Sequence, residues 1–285
     1  MSESIGILYI CTGPYVVFWK EFYESFEKNF LPDYEKRYFV FTDSDRIFAD
    51  DNDRVKRVKI DQMPWPLITL LRFSIFLKEE KELKKCNYLM FSNANMICNE
   101  TITKDEFLPR ENETLSVTIH PGYYQKNKIE FPYERRKCST AYIPWNCGTH
   151  YVIGAMYCGR SEAFIEMSKT LKQNIEKDLK KNIIARWHDE SQLNRYIINK
   201  AGVRILGPMY CYPYGMGVNY QKKIYAVSKE AKFDVKSFKG QDLIKHSCLR
   251  RLVGKIKRKM LIKERIMYLI DSLIGAHVEE LNDEK

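Results

Sequence analysis

The chain lacks any CxxC motif and any Cys/His pair at zinc-finger spacing. Its eight cysteines, Cys11, Cys86, Cys98, Cys138, Cys147, Cys158, Cys211 and Cys248, therefore outline neither a zinc site nor a paired redox motif. Scattered in this way, they read as reduced thiols and point to a cytoplasmic protein. The start, MSESIGILYICTG, has no basic stretch ahead of its apolar run. That run is far shorter than the roughly 20 residues that span a bilayer, so the expectation is neither a signal peptide nor a transmembrane anchor. Internal repeats, low-complexity tracts, and helix-turn-helix, RNP and zinc patterns are missing too. Nucleic acid therefore has no recognisable reader here, although the formal net charge is +10 and suits anionic partners.

What is present is enough for a full core, because 285 residues that are 45% hydrophobic and 13% aromatic can bury one large domain. Ile5 to Cys11 is β-branched and aromatic, breaks at Thr12-Gly13-Pro14, and leads into a helix-like run from Tyr15 to Phe30. Arg37 to Thr42 reads as a second strand, Pro66 to Lys85 as a helix, and Asn87 to Phe91 as a short buried strand. Leu115 to Ile119 is a further strand, Tyr151 to Cys158 an apolar segment, and Ser161 to Leu179 a helix. Strands alternating with helices imply an α/β fold with a parallel-type sheet. Ser92-Asn93-Ala94-Asn95 follows the third strand at its carboxyl end, where such sheets place ligands.

The composition shifts after residue 237. The stretch from Lys245 to Arg265 sets Leu249, Leu252, Val253, Ile256 and Met260 at near-helical spacing against a crowd of lysines and arginines. The division expected is a catalytic domain over 1–237 and a basic amphipathic helical tail over 238–285. Such a tail fits either a helix lying on an anionic membrane surface or one packed on the domain or on a partner.

Two clusters carry candidate chemistry. Trp187-His188-Asp189-Glu190-Ser191 sets adjacent acids beside an aromatic at the head of a helix over 191–199, a pattern that also fits ordinary capping acids. Phe131-Pro132-Tyr133-Glu134-Arg135-Arg136 and His120-Pro121-Gly122-Tyr123-Tyr124 combine rings that can stack on sugars with arginines that can hold phosphates. Taken singly, they are equally an ion-pair cluster and a Pro-Gly turn with core tyrosines behind it.

In combination with YICTGPY (9–15), YFVFTD (38–43), NYLMFSNAN (87–95), STAYIP (139–144) and WHDESQLNRY (187–196), these blocks resemble glycosyltransferase family 6. This is the family of the histo-blood-group transferases, and the chain is most similar to its bacterial members, which carry NXN instead of DXD. The resemblance covers Ile5 to Lys232. It implies a GT-A glycosyltransferase fold with a Rossmann-like nucleotide-binding sheet, and retaining transfer of galactose from UDP to a galactoside-type acceptor in an α-1,3 linkage.

Asn93 and Asn95 replace the carboxylates that hold Mn²⁺ in DXD relatives, and neutral amides are weak ligands for a hard cation, so no metal and no other cofactor is expected. The diphosphate charge must then be met by side chains. Arg72, Lys229 and Lys232 are the candidates. By resemblance, Ile10, Cys11, Thr12 and Tyr15 border the uridine, and Asn93, Ala94 and Asn95 face ribose or sugar hydroxyls. Ile153-Gly154-Ala155 set the donor choice, with the Ala155 methyl favouring UDP-galactose and UDP-GalNAc kept as the alternative. Glu190 takes the place of nucleophile or charge stabiliser under the anomeric carbon. Asp189 grips donor hydroxyls, and His120 and Trp187 line the acceptor galactose, with Pro132 standing where a small hydroxyl residue is usual. The implied partners are a UDP-sugar and an oligosaccharide acceptor such as a fucosylated galactoside or a lipid-linked glycan, with a peripheral position on the inner face of the membrane. A sugar-binding relative without catalysis remains the competing class.

Overall fold

The computed structural model describes residues 3–217, 219–238 and 266. The basic tail expected over 238–285 thus lies outside the described residues, apart from Phe238 at its start and Ile266.

The chain opens with strand β1 (Ser4–Ile10), a 3₁₀ turn over Gly13–Phe18, helix α1 (Trp19–Asn29), and strands β2 (Glu35–Thr42) and β3 (Val55–Lys59). The Tyr15 to Phe30 run is therefore not one helix, because the 3₁₀ turn over Gly13–Phe18, with Pro14 at its start, hands over to α1 at Trp19. In α1, Trp19, Phe22 and Phe26 recur on one face and are buried, with the Phe22 and Phe26 rings stacked at 4.0 Å.

The long helix expected from Pro66 to Lys85 is broken into α2 (Leu67–Leu70), α3 (Arg72–Phe76), a 3₁₀ turn and α4 (Glu80–Leu83). The break at Leu71, φ −91° and ψ 9°, starts a new helix at Arg72, whose buried side chain is anchored by tertiary partners described below. Strands β4 (Tyr88–Ser92) and β5 (Met96–Cys98), the short helix α5 (Lys104–Phe107), β6 (Leu115–Ile119) and β7 (Val152–Arg160) follow. The chain then continues through α6 (Ser161–Lys180), α7 (His188–Ile197), β8 (Val203–Leu206), β9 (Ile224–Ala226) and α8 (Val235–Phe238).

Seven strands form one sheet in the order β3-β2-β1-β4-β7-β6-β8, and β5 pairs with β9 in a separate two-stranded sheet. The first four are mutually parallel, as the βα alternation implies. β7 runs antiparallel to both β4 and β6, so the sheet is mixed and not wholly parallel. Period-two alternation divides the core between the two faces. Ile5, Ile7 and Tyr9 of β1, with Tyr38 and Val40 of β2, pack in the cluster containing Trp19, Phe22 and Phe26 of α1. Leu8, Phe39, Phe41, Leu89 and Phe91 point the other way, into the cluster built with Phe73 and Phe76 of α3 and Phe164 and Leu171 of α6. The buried sheet leaves its carboxyl edge at Ile10 and Ser92, and the loops leaving that edge build the site.

Candidate active site

A cavity of about 250 Å³ opens at that edge, walled by Ile10, Thr12 and Tyr15 after β1, by Asn93, Ala94 and Asn95 after β4, and by Arg72 of α3 and Lys229. Met63, Trp65, Ile68, Thr69, Phe91 and Phe238 complete it. Most of the expected donor residues thus meet around one space.

Two of them do not. The Cys11 side chain is fully buried in the core, its N–H donates to Phe41 O, and its carbonyl accepts the Thr42 hydroxyl at 2.7 Å. It holds the strand end in place and has nothing left for a nucleotide. Lys232 pairs with Glu21 of α1 at 2.9 Å and is absent from the cavity wall, so only Lys229 of the two lysines is placed there. The Lys229 ammonium lies 5.6 Å from the centre of the Tyr15 ring.

The asparagine pair divides its work. The Asn93 backbone N–H donates to Ala155 O at 2.9 Å, which leaves its side chain on the cavity wall. Asn95 is buried; its Nδ2 donates to Val227 O at 2.7 Å, and Val227 N–H returns a bond to Asn95 O at 2.8 Å. This reciprocal pair fastens the segment after β9 to the cavity. That segment then packs Phe233 5.0 Å from Tyr15 and brings Phe238 against Gly13. Any Cβ at Gly13, with φ +56°, would come within 2.7 Å of the Phe238 ring.

Behind the cavity, Arg72 donates from Nη1 to Gly154 O, lies 3.1 Å from Asp189 Oδ2, and stacks 4.3 Å from the Phe91 ring centre. The expected phosphate-binding cation is therefore buried and already shared with a carboxylate. Asp189 is buried in turn. Burial pushes its carboxyl up to about 6 against the pull of Arg72, so the pair is ionised at neutral pH.

One residue further along, Glu190 accepts the Tyr151 hydroxyl at 2.6 Å on Oε1 and Gly154 N–H at 2.8 Å on Oε2. Burial raises its carboxyl to about 7, opposed by these two donors and assisted by the Asp189 charge. Gly154 stands at the junction, with its carbonyl on Arg72 and its N–H on Glu190. A Cβ there would meet Asp189 Oδ2 at 2.9 Å and Glu190 Cβ at 3.1 Å. Absence of a side chain is what lets β7 approach α7 this closely. Ile153 and Ala155, on the other face of the strand, pack in the core cluster that includes Ala94.

On the far side of Glu190, the His120 ring lies 5.7 Å and Tyr123 5.0 Å from Tyr151. Burial lowers His120 to about 4, and its Nδ1 accepts Gly122 N–H at 3.0 Å, so the neutral ring carries its proton on Nε2. Trp187 caps α7 with its ring exposed, and Pro132 is buried between Phe131 and Tyr133.

The arginines of the Phe131–Arg136 block are not free to hold phosphate. Arg135 is buried, donates to Ile143 O and Pro144 O, and stacks 4.1 Å from the Trp145 ring centre. Arg136 is bound to Glu134. The two arginines of this block are thus engaged within the protein. Among the described residues, no cluster of three or more His, Cys, Asp or Glu side chains is gathered as metal ligands.

The sequence profile of glycosyltransferase family 6 matches residues 1–236. The chain belongs to this family. Its α/β sheet is accordingly of the GT-A type. Over 226 residues it is 39% identical to the O-antigen biosynthesis glycosyltransferase WbnI of Escherichia coli, covering 79% of this chain and 95% of that protein. It is 28% identical to the rat histo-blood group ABO system transferase 2 over 74% of this chain and 64% of that one. It is 27% identical to the human globoside alpha-1,3-N-acetylgalactosaminyltransferase 1 over 74% of this chain and 62% of that one. The chain thus spans less than two thirds of these two animal relatives. As a family 6 member it is a hexosyltransferase, with a nucleotide-sugar donor and a glycan acceptor.

Three features of the site gave little signal in the sequence. Tyr151 lies among many tyrosines, Asn95 meets a partner 132 positions away, and Trp65, which lines the cavity and lies edge-on to His188 at 5.2 Å, sits in an unpatterned loop.

Proposed function

We propose that this glycosyltransferase moves galactose, with GalNAc as the alternative sugar, from UDP to a galactoside-type acceptor, retaining configuration in an α-1,3 linkage and using no metal ion. The observation that carries the reading is the placement of Glu190. It is a carboxylate held by two neutral donors beside the ionised Arg72–Asp189 pair, of which Arg72 lines the cavity. In a retaining displacement one carboxylate oxygen attacks the anomeric carbon, or shields its positive charge, as the bond to the diphosphate breaks. The acceptor oxygen then bonds to the anomeric carbon, its proton passes to the phosphate of the departed UDP, and the carboxylate is left free again.

Asp189, fixed by Arg72, presents its remaining lone pairs to donor hydroxyls. Lys229 supplies positive charge on the cavity wall for the departing diphosphate, and Arg72 adds to it only what Asp189 leaves. Asn93 offers an amide that can both donate and accept toward ribose or sugar hydroxyls. Neutral His120, with Nε2–H as donor, and exposed Trp187 suit the acceptor side.

The test is UDP release from UDP-galactose and UDP-GalNAc, with a fucosylated galactoside present, with and without EDTA. Turnover of one of these donors unchanged by EDTA is expected. Loss of activity in EDTA would overturn metal independence. Turnover of UDP-glucose alone would overturn the donor assignment, and release from no donor would leave a sugar-binding relative.

A further inference from the structure

We propose that the Tyr151 hydroxyl is the positioning group that aims the Glu190 carboxylate and keeps it available for the reaction. The inference builds on the reading of Glu190 as nucleophile or charge stabiliser, and nothing in that reading requires a tyrosine.

Among the described residues, Glu190 receives one hydrogen bond on each oxygen, from Tyr151 and from the backbone of Gly154. Neither donor carries charge. An arginine or lysine at this distance would hold the carboxylate ionised but would also neutralise the electron density the reaction uses. The chain does employ an arginine next door, and it gives that arginine to Asp189. A phenol supplies the direction of a hydrogen bond without the charge. Burial and the Glu190 charge drive the Tyr151 hydroxyl far above its ordinary range, so it keeps its proton and acts only as a donor.

The hydroxyl is itself held from several sides. The Tyr151 ring is fully buried among Phe131, Tyr133, Tyr123 and His120, with centroids 5.0 to 6.2 Å away. Its carbonyl accepts His120 N–H at 2.8 Å. The next residue, Val152, is clamped to α7 by the Asn194 amide, which accepts Val152 N–H at 3.0 Å and donates to Val152 O at 2.8 Å and to Glu190 O at 2.9 Å. Asn194 therefore ties the backbone beside the phenol to the backbone of the carboxylate it serves. The rings that hold the phenol include His120, so a residue expected to meet the acceptor also helps set the direction of the hydrogen bond on Glu190.

The charged and titratable groups facing this pair are Arg72 from α3, Asp189 from α7, Cys211 from the 3₁₀ turn over Pro208–Cys211, and Arg186 and Tyr123 on the Tyr151 side. None of them replaces the phenol's bond to Oε1.

The decisive comparison is Tyr151→Phe against Tyr133→Phe. Both remove one hydroxyl from the same aromatic cluster and keep the ring, but the Tyr133 hydroxyl donates to His150 O and does not touch Glu190. For Y151F, kcat should fall about tenfold to a hundredfold with KM for the donor held within about twofold. The acid limb of its pH profile should move up by about one pH unit, because the ionised carboxylate has lost a donor. Y133F should keep the limb of the unsubstituted enzyme.

A second readout needs no substrate. Glu190 is raised from its ordinary 4.5 to about 7, so the unfolded chain releases this proton first. Its contribution to stability therefore falls as pH rises from 4.5 to 7 and levels above that. Thermal melts across this range should show the fall extending about one unit higher in Y151F; in Glu190→Gln it should be smaller and end near pH 6, where the raised Asp189 carboxyl still contributes. An acid limb and melting profile in Y151F that coincide with those of the unsubstituted protein, or an equal displacement in Y133F, would overturn the proposal. Absence of UDP release from the unsubstituted protein would instead strike the functional reading and leave the melting test standing.

Discussion

Glu134 follows Tyr133 in the chain, Glu190 accepts the hydroxyl of Tyr151, whose ring lies 5.5 Å from that of Tyr133, and the two carboxylates are handled in opposite ways. Glu134 takes Nε and Nη2 of Arg136, the Arg136 N–H and the Arg186 N–H. Burial pushes its carboxyl up, but the hydrogen bonds and charge of Arg136 outweigh burial and hold it below its ordinary value. Glu190 receives two neutral donors, and burial wins, up to about 7. The first carboxylate is locked in one charge state and pins the 131–144 block to the residues ahead of α7. The second is left close to balance. Asp178 fastens the same block to α6 and α7 as well, through the neutral donors Ser139 Oγ, Thr140 N–H and the Gln192 amide. Between Glu134 and Glu190, the charge of the partners separates the two carboxylates more than burial does.

The comparison breaks most sharply if Glu190→Gln stays active. The expected loss is about a thousandfold or more in kcat, measured as UDP release from the preferred donor, with the protein still folded. Glutamine can accept Gly154 N–H and donate to the Tyr151 oxygen, so its melting temperature at pH 8 should equal or exceed that of the unsubstituted protein. The unsubstituted enzyme should itself lose activity as pH falls through about 7, where Glu190 takes up its proton.

Glu134→Gln is expected to do the reverse. Glutamine keeps one acceptor oxygen but loses the charge and turns an NH2 toward either Arg136 or the Arg186 N–H, which should cost about 1–3 kcal/mol of stability in urea melts. The kcat of the folded fraction should stay within about threefold. A large loss of kcat with normal stability would make Glu134 a second reactive carboxylate and erase the distinction. The smallest effect separates the two lysines. Lys229→Ala should raise the donor KM about fivefold to tenfold, and Lys232→Ala should leave it within about twofold, because Lys229 lines the cavity and Lys232 pairs with Glu21. Equal effects would place both cations at the nucleotide.

The parts of the fold readable from sequence were those where one local signal dominated. β6 matches Leu115–Ile119, and β1, β2, β4 and α6 lie within two residues of their expected bounds, because apolar runs end at clear turns or caps. β3 (VKRVK) hides its two buried valines among cations, while β5 and β9 are three residues each and exist through pairing with one another. No local pattern announces such strands. The broken helix at Leu71 escaped notice because a tertiary anchor, Arg72 on Gly154 and Asp189, sets its course. In the site, Asp189 and Glu190 were legible as an acidic pair, but their helix begins at His188 and not at 191. Their unequal settings depend on Tyr151, Gly154 and Arg72, which are remote in sequence. The Arg135-Arg136 pair looked like a phosphate clamp because residue type shows charge but not whether a partner has already taken it.

The bond between Asn95 and Val227 has a consequence for the order in which the molecule can be made. A ribosome delivers β1, α1, β2 and β4 early, yet Val227, which grips Asn95 just ahead of the cavity-lining Lys229, is synthesised 132 residues after that asparagine. Until then Asn95 and the edge of β5 wait without their partners. The cavity is therefore completed late in synthesis, and a nascent chain halted before residue 227 would carry the whole seven-stranded sheet but an unfinished cavity.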